Sequence, residues 1–238
     1  SFTTITFLLA FYVNLIKNSG CDLISGWGKI TGPNTVSIIK EDNKKIELSS
    51  QKIMIAAGGE SSFPNFEGNN YMINSDKALD LLELPDSIAI YGSGYIAVEF
   101  AGIFNGFGVD THLIFRADMA LRGFDKDIRQ HLMTSMEQKG ITIHNKVTIS
   151  KIEEEGQMHK IHLSNNKSLS VETVMGATGR LPKVSNLGLE EIGVHLGKRG
   201  EVLVNNFNQT NINSIFAIGD VTDTVSYTHL TLPTKPFV

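Results

Sequence analysis

The tightest constraint on this chain is a glycine turn set between a strand and a helix. Ser87–Tyr91 is a short apolar run after Pro85, and Gly92-Ser93-Gly94-Tyr95-Ile96-Ala97 follows it directly. Ala97–Phe107 then reads as a helix, with Val98, Ala101 and Ile103 among its apolar positions and Gly106 and Gly108 near its end. Val109–Phe115 reads as the next strand. Each small residue of this G-x-G-x-x-A sequence has a mechanical reason. Gly92 permits the tight turn, Gly94 lets a pyrophosphate approach the backbone, and Ala97 lets the helix lie close on the strand. Exposed N–H groups of the first helical turn, at the positive end of the helix dipole, complete an anion site. Alone, such a sequence is a weak signal. Flanked by strand and helix, it predicts a Rossmann-like α/β fold that binds a dinucleotide.

The end of the second strand selects the coenzyme. Sites for NAD usually place an Asp or Glu there, to accept from the ribose 2′-hydroxyl. Here Phe115 is followed by Arg116, and Arg122 closes the segment Arg116-Ala117-Asp118-Met119-Ala120-Leu121-Arg122. Two guanidiniums with no carboxylate at the strand tip suit a 2′-phosphate. At about 1.5–3 kcal/mol per charge-assisted hydrogen bond, two of them favour NADPH over NADH by about 100-fold or more. The competing reading is a pair of solvated surface arginines, and the motif alone leaves it open.

Composition removes other classes. Hydrophobic residues are 41% and charged residues 19% of the 238, with a net charge of −4. That excludes a disordered tail, and the lack of a basic excess argues against a nucleic-acid binder. The single cysteine, Cys21, cannot form an internal disulfide. A reducing, cytoplasmic compartment is the expectation on that ground. The most apolar stretch, Phe7–Val13 with Leu15 and Ile16 beyond it, is shorter than the roughly 20 residues that span a bilayer. No basic segment precedes it and no small-residue cleavage site follows, so it predicts a buried amphipathic helix ending near Gly20 and no membrane partner. The run from Ser226 to Val238, with Pro233 and Pro236, reads as an irregular tail.

One pattern occurs twice. Leu23–Ile30, Val36–Lys40 and Ile46–Leu48 read as a three-stranded meander, followed by the apolar strand Lys52–Ala56 and Ala57-Gly58-Gly59. Val147–Ile152, Lys160–Leu163 and Leu169–Val171 repeat it, followed by Val174–Ala177 and Thr178-Gly179-Arg180. Gly58 and Gly179 are equivalent points, and a proline follows each. Two such units in tandem imply two dinucleotides on one chain. His159 and His162 fall in the second meander, on opposite faces of a strand, and are poor metal partners. Asp125 reads as the N-cap of a helix, with Ile128, Leu132 and Met136 along one face and Gly140 as its stop. Ser214–Ile218 reads as a strand ending in Gly219-Asp220. A carboxylate there either bonds a sugar-like hydroxyl chain or stabilises a turn, and the chemistry does not choose.

These segments carry a family resemblance. Residues Gly92–Gly102, Leu121-Arg122-Gly123-Phe124-Asp125, Ala177-Thr178-Gly179-Arg180 and Ala217-Ile218-Gly219-Asp220-Val221 form a specific set. From about Cys21 to Asp223 the chain resembles the flavin-dependent pyridine-nucleotide disulfide reductases, most closely their glutathione reductase branch. The Arg-Gly-Phe-Asp segment is shared with trypanothione reductases, and the arginine pair favours NADPH-using members over dihydrolipoyl dehydrogenases. The resemblance implies that Ser93, Ile96 and Glu99 contact NADPH, with Glu99 near the nicotinamide amide. It implies that Tyr95 covers the flavin, that Arg116 and Arg122 hold the 2′-phosphate, and that Gly179 makes a backbone contact to NADPH. Asp220 matches the residue that holds the FAD ribityl chain, and Gly28 a backbone contact to the FAD adenine. The cofactors implied are FAD and NADPH, the substrate glutathione disulfide, and the assembly a homodimer.

Departures set the expected limits. The first G-x-G-x-x-G for FAD, the Cys-x4-Cys redox pair and the interface domain with its acid-base histidine are absent, and His229 does not sit in that motif. Ala57 stands where the family has threonine. Residues 1–9 and those after about 224 lose the family pattern. The expected organisation is an NADPH-binding domain at 64–180, with a parallel sheet and a meander, inserted in a partial FAD-binding domain at 1–63 and 181–238. An internal fragment with foreign sequence at its ends is the simplest account, and a non-catalytic NADPH-binding module is the alternative function.

Overall fold

In the computed structural model, which describes residues 2–223, the chain falls into two units: 1–58 with 182–238, and 59–181. The tail beginning at Ser226, with His229, lies outside the described residues. The first unit opens on α1 (Phe2–Asn18), followed by β1 (Trp27–Gly32), β2 (Thr35–Ile39), β3 (Lys45–Ser49) and β4 (Ile53–Ile55). The expected helix is there, and Gly20 lies just past its end with φ +80°. Its burial is not as expected. Phe11, Tyr12 and Leu15 stand exposed, and none of the three belongs to a core cluster. The first meander is antiparallel in the order β1-β2-β3, and its first strand starts at Trp27 rather than Leu23.

The second unit contains β5 (Gly59–Ser61), α2 (Ser75–Leu79), β6 (Ser87–Tyr91), α3 (Tyr95–Gly106), β7 (Asp110–Ile114) and α4 (Lys126–Gln138). It continues with β8 (Thr142–His144), β9 (Ile149–Glu155), β10 (Met158–Leu163), β11 (Ser168–Val171), β12 (Thr173–Gly176) and β13 (Arg180–Pro182). The chain then returns to the first unit, where β14 (Ile215–Ala217) pairs in parallel with β4. Ile30, Ile53, Ile55, Ile215 and Val221 share that unit's core.

Three layers build the second unit. A parallel sheet in the order β12-β6-β7-β8 lies in the middle. Ile88, Ala89 and Ile90 of β6 are fully buried, as expected of a parallel strand covered on both faces. Alternation along the strands sorts the layers. Ile88, Ile90, Leu113 and Met175 pack on the helical face, against Ala97, Ala101, Met133 and Met136. Ala89, Tyr91, Ile114 and Val174 face the other way, against Ile152, Ile161 and Val171 of the β9-β10-β11 meander. Ala97 and Ala101, one turn apart and fully buried, let α3 lie close on β6 and β7. This is the mixed α/β, Rossmann-like architecture read from the sequence.

Candidate functional site

Three strand ends form the floor of the site. Tyr91 of β6 pairs with Ile114 of β7 on one side and with Gly176 of β12 on the other. The chain runs outward from β6 to β7 and β8 and then returns to β12 on the opposite side, so the strand order reverses beside β6. The crevice beyond such a reversal is where open α/β sheets hold ligands.

The glycine turn has the geometry its residue types suggest. Gly92 takes φ +152°, and a Cβ there would run into the carbonyl of Ala177. Its N–H donates to Ile114 O at 2.9 Å, and the N–H of Ala177 donates to Tyr91 O at 2.7 Å. Gly94 caps α3 with φ −80°, and a Cβ built on it would meet nothing within 4 Å. The N-terminus of α3 has no side-chain cap and no acid in its first turn. Helices α2 and α4 differ, because the side chains of Asn74 and Asp125 accept from their first turns. The start of α3 therefore has no side-chain partner for its leading N–H groups, and the space beside the Gly94 Cα is open, the features that suit an anion at a helix start.

The other residues of the second unit surround this turn. Tyr95 (62% exposed) and Glu99 share one exposed face of α3, four positions apart, while Ile96 packs partly against the core. Gly179 lies just past β12, where its carbonyl accepts from the Ser62 N–H. Arg116 and Arg122 are exposed on the loop after β7, and neither is paired with another described residue. That loop is joined to the turn by one hydrogen bond, from Leu121 N–H to Ser93 O at 2.7 Å. Asp118, the loop's one carboxylate, is drawn to Lys146 Nζ at 2.8 Å. The hydrogen bond and charge of Lys146 hold its carboxyl below the ordinary range, so it stays ionised and paired. Gly92, Ser93, Gly94, Tyr95, Ile96, Glu99, Arg116, Arg122 and Gly179 thus lie around the C-terminal edge of one sheet. Gly28 and Asp220 belong to the first unit, on β1 and on the turn of 3-10 helix after β14. Gly26, not Gly28, has the tighter backbone, since a Cβ there would meet Ile38 and Ile39 O.

Sequence reasoning missed Arg129, Asn145 and Lys146, which hold the arginine loop, and the pair His112–His144 on β7 and β8. The signal for Arg129 was its place one turn after the Asp125 cap; the others have none in sequence. Among the described residues no cluster of His, Cys, Asp or Glu is arranged to hold a metal. His159 lies tilted against the Tyr71 ring, with centroids 5.4 Å apart, and His162 meets Glu153 at 2.5 Å. No helix among the described residues is long and apolar enough to cross a membrane.

A glycine turn, an uncapped helix start and a loop carrying two arginines, gathered at a strand reversal, are the features of a dinucleotide-binding α/β unit. The chain belongs to the pyridine nucleotide-disulphide oxidoreductase family, whose profile it matches over residues 8–232. It is 37% identical over 217 residues to a glutathione reductase of Burkholderia cepacia, covering 91% of this chain and 47% of the relative. It is 40% identical over 228 residues to the chloroplastic/mitochondrial glutathione reductase of Pisum sativum, covering 94% and 40%. In structure it is similar to an HOCl-induced flavoprotein disulfide reductase of Escherichia coli, with TM-score 0.87 and 27% identity over 94% of this chain and 52% of that one. The chain spans about half the length of the curated relatives it matches.

Proposed function

We propose that this chain carries the NADPH-binding unit and part of the FAD-binding unit of an NADPH-dependent disulfide reductase that acts on glutathione disulfide. The observation that carries the reading is the Leu121–Ser93 hydrogen bond, which ties two unpaired arginines to an uncapped, glycine-lined helix start. The names of the relatives support the disulfide and the flavin. When bound, the two coenzymes supply the hydride and electron-pair chemistry. The chain's own residues bind and orient. The α3 N-terminus and Gly94 receive the pyrophosphate, Arg116 and Arg122 receive the 2′-phosphate, and Gly179 offers backbone to the coenzyme. Ile96 and Glu99 line the path to the nicotinamide, and exposed Tyr95 covers the flavin face. Gly28 and Asp220 serve FAD. The expected division is an NADPH domain at 64–180 within an FAD domain at 1–63 and 181–238. The whole enzyme works as a homodimer, and the unpaired, exposed Cys21 suits a reducing compartment such as the cytoplasm.

The test is coenzyme discrimination. Titration of the chain with NADPH and NADH should show a preference of about 100-fold for NADPH. Arg116→Ala should cut NADPH affinity about tenfold or more and leave NADH affinity nearly unchanged. Equal losses for both coenzymes would falsify the phosphate assignment. A second reading, a module that binds without turning over, has its own observation: one cysteine cannot make the dithiol that opens a disulfide. The 238 residues alone should therefore bind NADPH yet not reduce glutathione disulfide.

A further inference from the structure

Four successive carbonyls of the loop between Arg116 and Arg122 are taken by donors from outside it. The backbone N–H of Lys146 reaches Ala117 O at 3.1 Å, and the side-chain amide of Asn145 reaches Asp118 O at 2.8 Å. Arg129, on α4, takes the other two. Its Nη2 donates to Met119 O at 2.8 Å and its Nε to Ala120 O at 2.7 Å. A planar guanidinium fits two neighbouring acceptors at once, as a lysine ammonium does not. The next residue, Leu121, sits at φ +55°, a region that residues with a Cβ seldom enter. Such a backbone persists only where its surroundings over-determine it. Here the surroundings are Arg129 on one side and the Leu121–Ser93 hydrogen bond on the other. Arg122 follows immediately, so its direction is set by this turn.

We propose that Arg129 is a positioning residue for coenzyme choice: by forking onto Met119 O and Ala120 O it fixes the loop that aims Arg116 and Arg122 at a 2′-phosphate. The inference rests on the NADPH reading of those two arginines. It adds that selectivity depends on a half-buried cation that touches no ligand. Both of these Arg129 hydrogen bonds go to carbonyls, and its charge also acts on Asp118, so it steadies the loop at more than one point.

The experiment compares NADPH and NADH binding to the full chain carrying Arg129→Lys, which keeps the charge and loses the fork. NADPH affinity should fall about tenfold, and NADH affinity should change less than about twofold. A purely structural role would weaken both coenzymes alike, and that result overturns the proposal. Asn145→Ala, which removes one exposed loop contact, should shift the same ratio in the same direction by a smaller factor. It serves where the lysine variant fails to fold, and an unchanged ratio there counts against the proposal. Arg116→Ala separates the failures. If it discriminates between the coenzymes and Arg129→Lys does not, only the positioning role is lost. If it does not discriminate, the phosphate reading falls and this inference with it.

Discussion

Gly92 and Gly94 are two residues apart and do different work. Gly92 holds φ +152° against the carbonyl of Ala177, so a methyl group there meets both an unfavourable backbone and a fixed obstacle. Gly94 has φ −80°, which alanine adopts freely, and nothing within 4 Å of the added carbon. Gly92→Ala should destabilise the second unit by more than about 2 kcal/mol, read as a lower urea midpoint. Gly94→Ala should leave that midpoint in place and weaken NADPH and NADH equally, about tenfold or more, because its methyl fills the space a pyrophosphate would enter. An intact coenzyme affinity in Gly94→Ala would remove the pyrophosphate from this turn. The contrast is informative because fold and ligand respond to different members of one motif.

At the level of elements, β8 is a three-residue strand on one edge of the parallel sheet. Its last residue, His144, places Nε2 3.1 Å from His112 Nδ1 on β7, and His112 Nε2 lies 3.4 Å from Asp110. One proton fits between the two rings; a second would set two N–H groups face to face. Burial first, then the charges of His112 and Lys167, lower the His144 imidazole below its ordinary value. An unfolded chain, with His near pKa 6.5, therefore binds the proton more readily than the native state does. Stability from this site is complete above about pH 6.5 and is lost progressively as pH falls below it. His144→Gln should make the urea midpoint less dependent on pH between about 8 and 5.5; identical slopes for variant and parent would reject the coupling. Nothing in the order of residues announces this pair, since only the register of β7 on β8 brings His112 and His144 together. By contrast β6, α3, both meanders and the Asp125 cap were legible, because each is written in local spacing: apolar alternation, a small residue at each tight approach, an acid before a helix. The arginine loop was legible in charge but not in support, as its donors come from α4 and from the segment after β8. Burial failed where the pattern was read without a partner. The α1 stripe is exposed at Phe11 and Leu15, and Ile128 on α4 is 59% exposed while Met133 is buried. The ribbon of β5 with β13 was missed because strands of three residues carry no period.

On the scale of the whole chain, the two units offer unequal sites. The second unit gathers a glycine turn, an uncapped helix start and two unpaired arginines on one sheet edge. The first offers Gly28 on a meander and Asp220 beyond β14, but the chain has no second glycine fingerprint for FAD. Ligand binding stabilises what it touches by an amount fixed by concentration over Kd, about 2.7 kcal/mol at a hundredfold excess. NADPH at that excess should slow hydrogen exchange in β6, α3 and β7 and leave β4 and β14 unchanged. FAD at the same concentration should protect little, and what it does protect should lie around β1 and β14. Exchange resolved by segment reads both outcomes in one experiment. Protection of β4 and β14 by NADPH, with β6 and β7 unaffected, would assign the nucleotide to the wrong unit. Because the site in the second unit is built from contacts internal to residues 59–181, NADPH should protect it whether or not FAD is present. A requirement for FAD before any NADPH protection appears would mean that these internal contacts do not suffice.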